Sequence, residues 1–196
     1  VTIEGVIEEE CTGNGALACL LAGYDAQAVL IPEPFGPTLL TDQVGVLWFK
    51  IRIKGLPSHV QSAPAGTNAI EKSFVLIKAL RQLEERLNTD NVPPAYAQLT
   101  HPLNFNPGML SGGDWPSTVP AWCELDCRLS FYPGMSYPEI QDQVRRSVHE
   151  AAEADAWLRD NPPQVAFYGF RSDGHSADPD LPALTLLNSC HQDLTG

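Results

Sequence analysis

Glu8-Glu9-Glu10 closes one apolar-rich stretch of the chain, and Pro32-Glu33-Pro34 closes a second. Between them lie Cys11-Thr12-Gly13-Asn14-Gly15 and a short apolar helix pattern. Carboxylates brought to the tips of neighbouring strands suit hard or borderline cations and the water those cations activate. A hydrolytic metal site needs one carboxylate on the ion and another, unbound, to take a proton from the bound water. Adjacent glutamates can divide those roles, so a metal-dependent hydrolase is the first expectation. The competing reading of the run is a solvated acidic turn. Against it stand the apolar pattern directly before and the glycines just after, which allow tight backbone. Glu33 between two prolines sits on rigid, non-helical backbone, useful for a ligand and equally normal at a strand end.

Two further side chains could act. His59 lies in Gly55-Leu56-Pro57-Ser58-His59, between a strand pattern and a helix start. Such a histidine is either surface decoration or a donor to a developing oxyanion. Arg128 falls on the polar face of a strand, where it could grip a carboxylate bidentately or form a cross-strand ion pair with Glu124 or Asp126. His101 and His175 read as surface residues, and His149 lies on a helix pattern. His191-Gln192-Asp193 imitates a ligand motif but sits in the last helix pattern.

The elements that must position these groups follow from periodicity. Val1–Ile7 reads as a strand, Ala16–Ala22 as a helix and Ala28–Ile31 as a second strand, together a parallel pair. In parallel sheets functional groups gather at the carboxyl ends of strands. From Val44 onward, Leu47, Phe49, Ile51 and Ile53 alternate with Trp48, Lys50, Arg52 and Lys54, the pattern of a half-buried strand. Asn68 with Glu71 starts a helix carrying Ile70, Phe74, Ile77, Leu80, Leu83 and Leu87. A weaker strand at 102–111 contains Pro107, which suggests an edge or a bulge. Cys123–Phe131 alternates again, Ser136 with Glu139 starts a second helix, and Val165–Phe170 is the last strand. The order β-α-β-β-α-β is the ferredoxin-like split βαβ, whose two helices leave the other sheet face partly open. The fold class is therefore α/β and α+β: a partial parallel-sheet domain over 1–42, a ferredoxin-like βαββαβ domain over 43–165, and a return into the first domain over 166–196, with a helix at Leu181–Leu194.

Composition sets further bounds. A formal charge of -12 over 196 residues removes the basic face that a nucleic-acid backbone needs. No stretch has the length and apolarity of a membrane span. The five cysteines are odd in number and lack CxxC spacing, which fits reduced thiols in the cytoplasm. Val1 already lies inside a strand-like pattern and Gly196 follows a helix pattern, so a segment of a longer enzyme is expected.

Several motifs occur in one order: Glu9-Glu10-Cys11-Thr12-Gly13-Asn14-Gly15-Ala16; Ile31-Pro32-Glu33-Pro34; Gly55-x-Pro57-Ser58-His59; Pro64-x-Gly66-x-Asn68-Ala69-Ile70; Gly112-Gly113 with Val119-Pro120; and Asp126-x-Arg128 with Pro133-Gly134. This series resembles the metallopeptidase and deacylase family of acetylornithine deacetylase, succinyl-diaminopimelate desuccinylase and aminoacylase, and the resemblance spans nearly the whole chain. It implies a zinc- or cobalt-dependent catalytic domain, with two ions, interrupted by a lid or dimerisation domain. It also implies an N-acyl amino acid or related amide as substrate and a homodimer joined through the lid. By motif position, Glu9 matches the family's general base, Glu10 and Glu33 match metal ligands, and His59 matches the lid histidine that reaches the partner's active site. Arg128 matches a lid arginine linked to the substrate carboxylate. Ser117 stands where many relatives carry a substrate-contacting Asn. The family's upstream His-x-Asp motif, a later bridging Asp and a final His ligand are missing from this segment, so the segment alone is expected to bind metal weakly and to be inactive. The alternative is a non-catalytic assembly or ligand-sensing ferredoxin-like module.

Overall fold

The computed structural model describes residues 1–33, 36 and 38–195, so Pro34 of the Pro-Glu-Pro reading lies outside the described residues. The apolar run after Gly15 winds into α1 (Asn14–Leu21), and the chain then reaches a two-residue strand, β1 (Asp42–Gln43). The alternation at 47–53 becomes β2 (Gly45–Lys54), followed by α2 (Ala69–Thr89), β3 (Phe105–Gly112) and β4 (Trp122–Phe131). Next come α3 (Tyr137–Ala154), the short α4 (Ala156–Asp160), β5 (Gln164–Ser172), the two-residue β6 (His175–Ser176) and α5 (Pro182–Thr195). The chain divides into two compact units, Val1–Gln43 with His175–Gly196, and Val44–Gly174. β5 runs through residue 165 as one strand paired with β2, so 166–174 stay with the sheet unit instead of leaving it at 165. No helix among the described residues is long and apolar enough to cross a membrane.

In the larger unit the four strands lie in the order β3-β4-β2-β5, every neighbouring pair antiparallel. β4 is inserted between β2 and β3, and β2 between β4 and β5, which is the expected split βαβ. Register puts Leu47 opposite Leu129, Phe49 opposite Cys127 and Ile51 opposite Leu125, all buried under the helices. Each fully buried Leu, Ile or Phe contributes about 1.5–3 kcal/mol relative to exposure. The opposite face pairs Trp48 with Arg128, Lys50 with Asp126 and Arg52 with Glu124.

Both long helices start at their expected caps. Asn68 Oδ1 accepts from the Ile70 and Glu71 N–H groups, at 2.9 and 3.2 Å. Ser136 and Glu139 close a full capping box. The α2 core stripe is Ala69, Ser73, Leu76, Leu80, Leu83 and Leu87, rotated from the expected one. Phe74 is 59% exposed, and Ile70 and Ile77 are half-buried. Periodicity alone admits two adjacent apolar stripes here, and the sheet selects one.

Glu84 is the buried charge of this core. Its carboxylate accepts from the Phe105 N–H at 2.8 Å and from Arg81 Nη1 at 2.8 Å, and lies 3.2 Å from His101 Nε2. His101 is exposed, as expected of a surface residue, and its ring also closes the latch that holds the entry to β3 on α2. Cys123 and Cys127 are buried free thiols. Burial pushes Cys127 up to about 12, which keeps it an inert packing residue.

The smaller unit corrects one expectation. Val1–Ile7 and Ala28–Ile31 form no strand, and the ladder in this unit is the antiparallel β1–β6 bridge, Asp42 opposite Ser176. Parallel strands persist where both faces are covered. Here α1 and α5 bury no residue, and Ile3, Ile7, Val29, Leu30 and Ile31 are exposed.

Candidate functional site

The acidic run divides its labour within its own turn. Glu8 takes a positive φ of 60°, a costly conformation for a residue with a Cβ. Its carbonyl accepts the N–H groups of Cys11, Thr12 and Gly13, and its carboxylate accepts from Thr12 Oγ1 at 2.5 Å and Asn14 Nδ2 at 3.1 Å. Gly13 has φ 71°, and a Cβ on Gly15 would lie 2.4 Å from the Ile7 carbonyl oxygen. The two glycines therefore permit a turn that other residues would break. Glu8 is consumed as the anchor of that turn, while Glu9, Glu10 and Glu33 are exposed. Among the described residues, no group of three or more His, Cys, Asp or Glu gathers where one ion could sit. A zinc ion takes three or four protein ligands, so two exposed carboxylates do not by themselves fit it.

In the larger unit, His59 is held by backbone on both sides. Ser58 carbonyl oxygen accepts the Val119 N–H at 2.8 Å, and Ser117 carbonyl oxygen accepts the Val60 N–H at 3.2 Å. His59 and Thr118 form an isolated antiparallel bridge. Gly55 fits because a Cβ there would meet the Pro120 and Thr67 carbonyl oxygens at 2.4 Å. His59 Nδ1 accepts the Gln61 N–H at 3.2 Å. In the neutral ring that bond leaves the proton on Nε2, so Nε2–H is the donor the exposed side chain can offer. Ser117 is half-buried and serves the loop through its carbonyl.

A cavity of ≈ 570 Å³ opens beside this loop, lined by Val60, Asn68, Gly113, Trp115, Thr118 and Val119 among others. Trp115 Nε1 donates to Thr118 Oγ1 at 2.7 Å, and Trp122 Nε1 donates to Asp114 at 3.1 Å. Sequence reasoning singled out the frame Gly112-Gly113 and Val119-Pro120 but not the tryptophan within it. The signal was available, because a large aromatic between two turn motifs has no alternation to bury it.

Arg128 resolves differently from an ordinary ion pair. Glu124 is bonded to Lys50 at 2.8 Å and Arg52 at 2.6 Å, and Asp126 pairs with Lys50 at 3.5 Å and accepts from the Tyr168 hydroxyl. That hydrogen bond, with burial second, raises the Tyr168 phenol to about 12. Half-buried Arg128 has no carboxylate partner among the described residues. Burial draws its guanidinium below the usual arginine range.

The relatives agree with this architecture. Residues 41–156 match the family model of a peptidase dimerisation domain. An N-formyl-4-amino-5-aminomethyl-2-methylpyrimidine deformylase from Halalkalibacterium halodurans is 26% identical over 98% of this chain and 49% of its own length. An acetylornithine deacetylase from Proteus mirabilis is 30% identical over 61% of this chain and 30% of its own length. The chain thus spans about half the length of the first of these relatives. Among solved structures, an amidase of the hydantoinase/carbamoylase family from Burkholderia phymatum superposes with a TM-score of 0.53 at 13% identity, over 80% of this chain and 35% of that one. A tripeptidase from Staphylococcus aureus gives 0.52 at 13% identity, over 79% and 36%. At such identities the structural likeness speaks for the fold. The chain belongs to the metallopeptidase and deacylase family of acetylornithine deacetylase, and within it carries the peptidase dimerisation domain at residues 41–156.

Proposed function

We propose that this chain is a segment of a cytoplasmic, metal-dependent amidohydrolase that cleaves an N-acyl amino acid or a related amide, and that the segment supplies mainly its dimerisation domain. The observation that carries the reading is the bonded loop that fixes the tautomer of His59 inside a matched dimerisation domain. The five free cysteines suit a reducing compartment. In the complete site zinc or cobalt would activate the attacking water, with Glu10 and Glu33 as two of its ligands. Glu9 would take the proton of the attacking water and deliver it to the leaving amine. The partner subunit's His59 would donate through Nε2–H to the oxyanion. Arg128 would hold a carboxylate of the substrate, and Ser117 would line the same contact.

The chain alone, supplied with zinc or cobalt, is expected to release no amine from N-formyl, N-acetyl or N-succinyl amino acids. A longer protein that adds the missing ligands is expected to do so, and to lose the activity on Glu9→Gln. Turnover by the 196-residue chain would contradict this division of the site.

The sheet has two edges, and they differ. Along β5 and α3, Arg145 lies 4.8 Å over the Phe167 ring and Arg171 4.7 Å over Tyr137, so that edge is covered by cations. Along β3 and α2, Phe74, Met109 and Leu110 are 59%, 62% and 45% exposed. The homodimer contact belongs on this second edge, since exposed apolar surface beside an unpaired strand favours a second copy. Light scattering is expected to report a dimer for the chain and a monomer for Phe74→Asp, with the circular dichroism spectrum retained. A monomeric wild-type chain would sink the assignment.

A further inference from the structure

The sheet departs from regular register at two places, and both lie beside one cross-strand row. That row is Asn106 on β3, Arg128 on β4 and Trp48 on β2, directly opposite one another on the helix-free face. On one side, the β2–β5 register shifts between Leu47 and Phe49, at Trp48 itself. Gly169 of β5 there has φ 64°, and a Cβ on it would come 3.0 Å from Trp48 Cε3. The bulge therefore seats the indole, and Phe170 flanks it with ring centroids 5.9 Å apart. On the other side, the β3–β4 register shifts between Pro107 and Met109, next to Asn106. Bulges bend a strand and re-aim its side chains. Two of them bracket a row centred on a guanidinium.

Charge singles out the same row. Lys50, Arg52, Glu124 and Asp126 on this face neutralise one another, as described above. Among the described residues Arg128 has no carboxylate partner and is half-buried, in a chain of net charge -12, whereas Lys54, the other unpaired cation on this face, is exposed at the end of β2. A guanidinium offers two parallel donors to a carboxylate. The Asn106 amide beside it can add a third, and the Trp48 ring supplies a flat apolar wall within reach of whatever the carboxylate is attached to.

We propose that Asn106, Arg128 and Trp48 form a recognition strip for a carboxylate borne on a flat, apolar group, with Trp48 and Asn106 as specificity-determining residues. The proposal rests on the reading of Arg128 as the substrate-carboxylate grip and narrows the substrate class to aromatic or similarly planar acids.

The test is titration of the full chain with benzoate, acetate and benzylamine, read on the indole N–H resonance of Trp48 and by calorimetry. Benzoate is expected to saturate, to move the Trp48 resonance and to bind at least tenfold more tightly than acetate, while benzylamine leaves the resonance in place. Arg128→Met is expected to weaken benzoate at least tenfold. Trp48→Leu should abolish the preference for benzoate over acetate while leaving acetate unchanged, an outcome that a purely structural tryptophan does not produce. Asn106→Leu should weaken both anions severalfold. If Arg128→Met loses its folded spectrum, Arg128→Lys replaces it, since a single ammonium keeps the charge and loses the fork. Equal binding of benzoate and benzylamine, or benzoate binding untouched by both Arg128 substitutions, overturns the strip. Benzoate contains no amide, so its binding is independent of turnover. Hydrolysis by the longer protein with no benzoate site on this chain sinks the strip and spares the hydrolase reading, whereas a benzoate site with no hydrolysis by the longer protein does the opposite.

Discussion

Glu84→Leu is expected to lower the stability of the sheet unit by about 3 kcal/mol, through loss of the acceptor for a buried N–H and of a charge-assisted bond. The Phe105 N–H, where β3 begins, donates to Glu84 at 2.8 Å, and Phe105 is itself buried. Leucine fills similar space and leaves that donor without a partner. Arg81 also donates to the Phe105 carbonyl, so it keeps one bond and the loss stays below that of a fully buried pair. Burial opposes ionisation of Glu84, but the bonds from Arg81, Phe105 N–H and His101 outweigh it and hold the carboxyl below the ordinary glutamate range. A depressed folded-state value stabilises the fold above the unfolded-state value, and the gain disappears as the pH falls through the folded one. Urea unfolding of wild type and variant should therefore diverge most near neutral pH and converge in acid. A gap that widens on acidification would refute the assignment.

His59→Ala, made in the longer enzyme, is expected to reduce kcat by about a hundred- to a thousandfold with a much smaller change in KM. That is the scale seen when one oxyanion donor is removed. The Gln61 N–H bond to Nδ1 makes Nε2–H the available donor, so His59→Gln, which can still present an N–H, should recover part of the rate. The partner-reaching role has a sharper readout. His59→Ala and Glu9→Gln homodimers should each keep no more than about a hundredth of the wild-type rate. Mixed and re-equilibrated, they should recover roughly a quarter of wild-type activity, because half the dimers are hybrids and each hybrid holds one complete site. Recovery absent from verified hybrid dimers would place His59 in its own subunit's site or outside catalysis altogether.

What could be read from the residues was whatever local chemistry decides. Asn68 with Glu71 and Ser136 with Glu139 announced two helix starts within a few residues of backbone, and both caps form. The alternation in β2 and β4 named the buried face, and register turned it into Leu47–Leu129 and Ile51–Leu125 pairs. The run at 1–7 was legible as apolar, but a parallel strand depends on neighbours that its own residues do not specify. Phe74 matches the helical period as well as Leu76 does; the difference between them is set by which stripe meets the sheet. Among the candidate site residues, Arg128 shows the same limit. Glu124 and Asp126 are its neighbours along β4, yet Lys50, Arg52 and Tyr168, arriving from other strands, occupy them first. His101 lies on the surface as its sequence suggests, but nothing in its local sequence foretells a carboxylate seventeen positions earlier.

The turn built on Glu8 gives the three consecutive acids unequal standing. With the first spent on Thr12, Asn14 and three backbone N–H groups, the chain keeps two spare carboxylates at that corner. Removing one glutamate is consequently no mere trimming of a spacer. The next acid in line would be drafted as the anchor, and the corner would keep a single free carboxylate for two separate jobs.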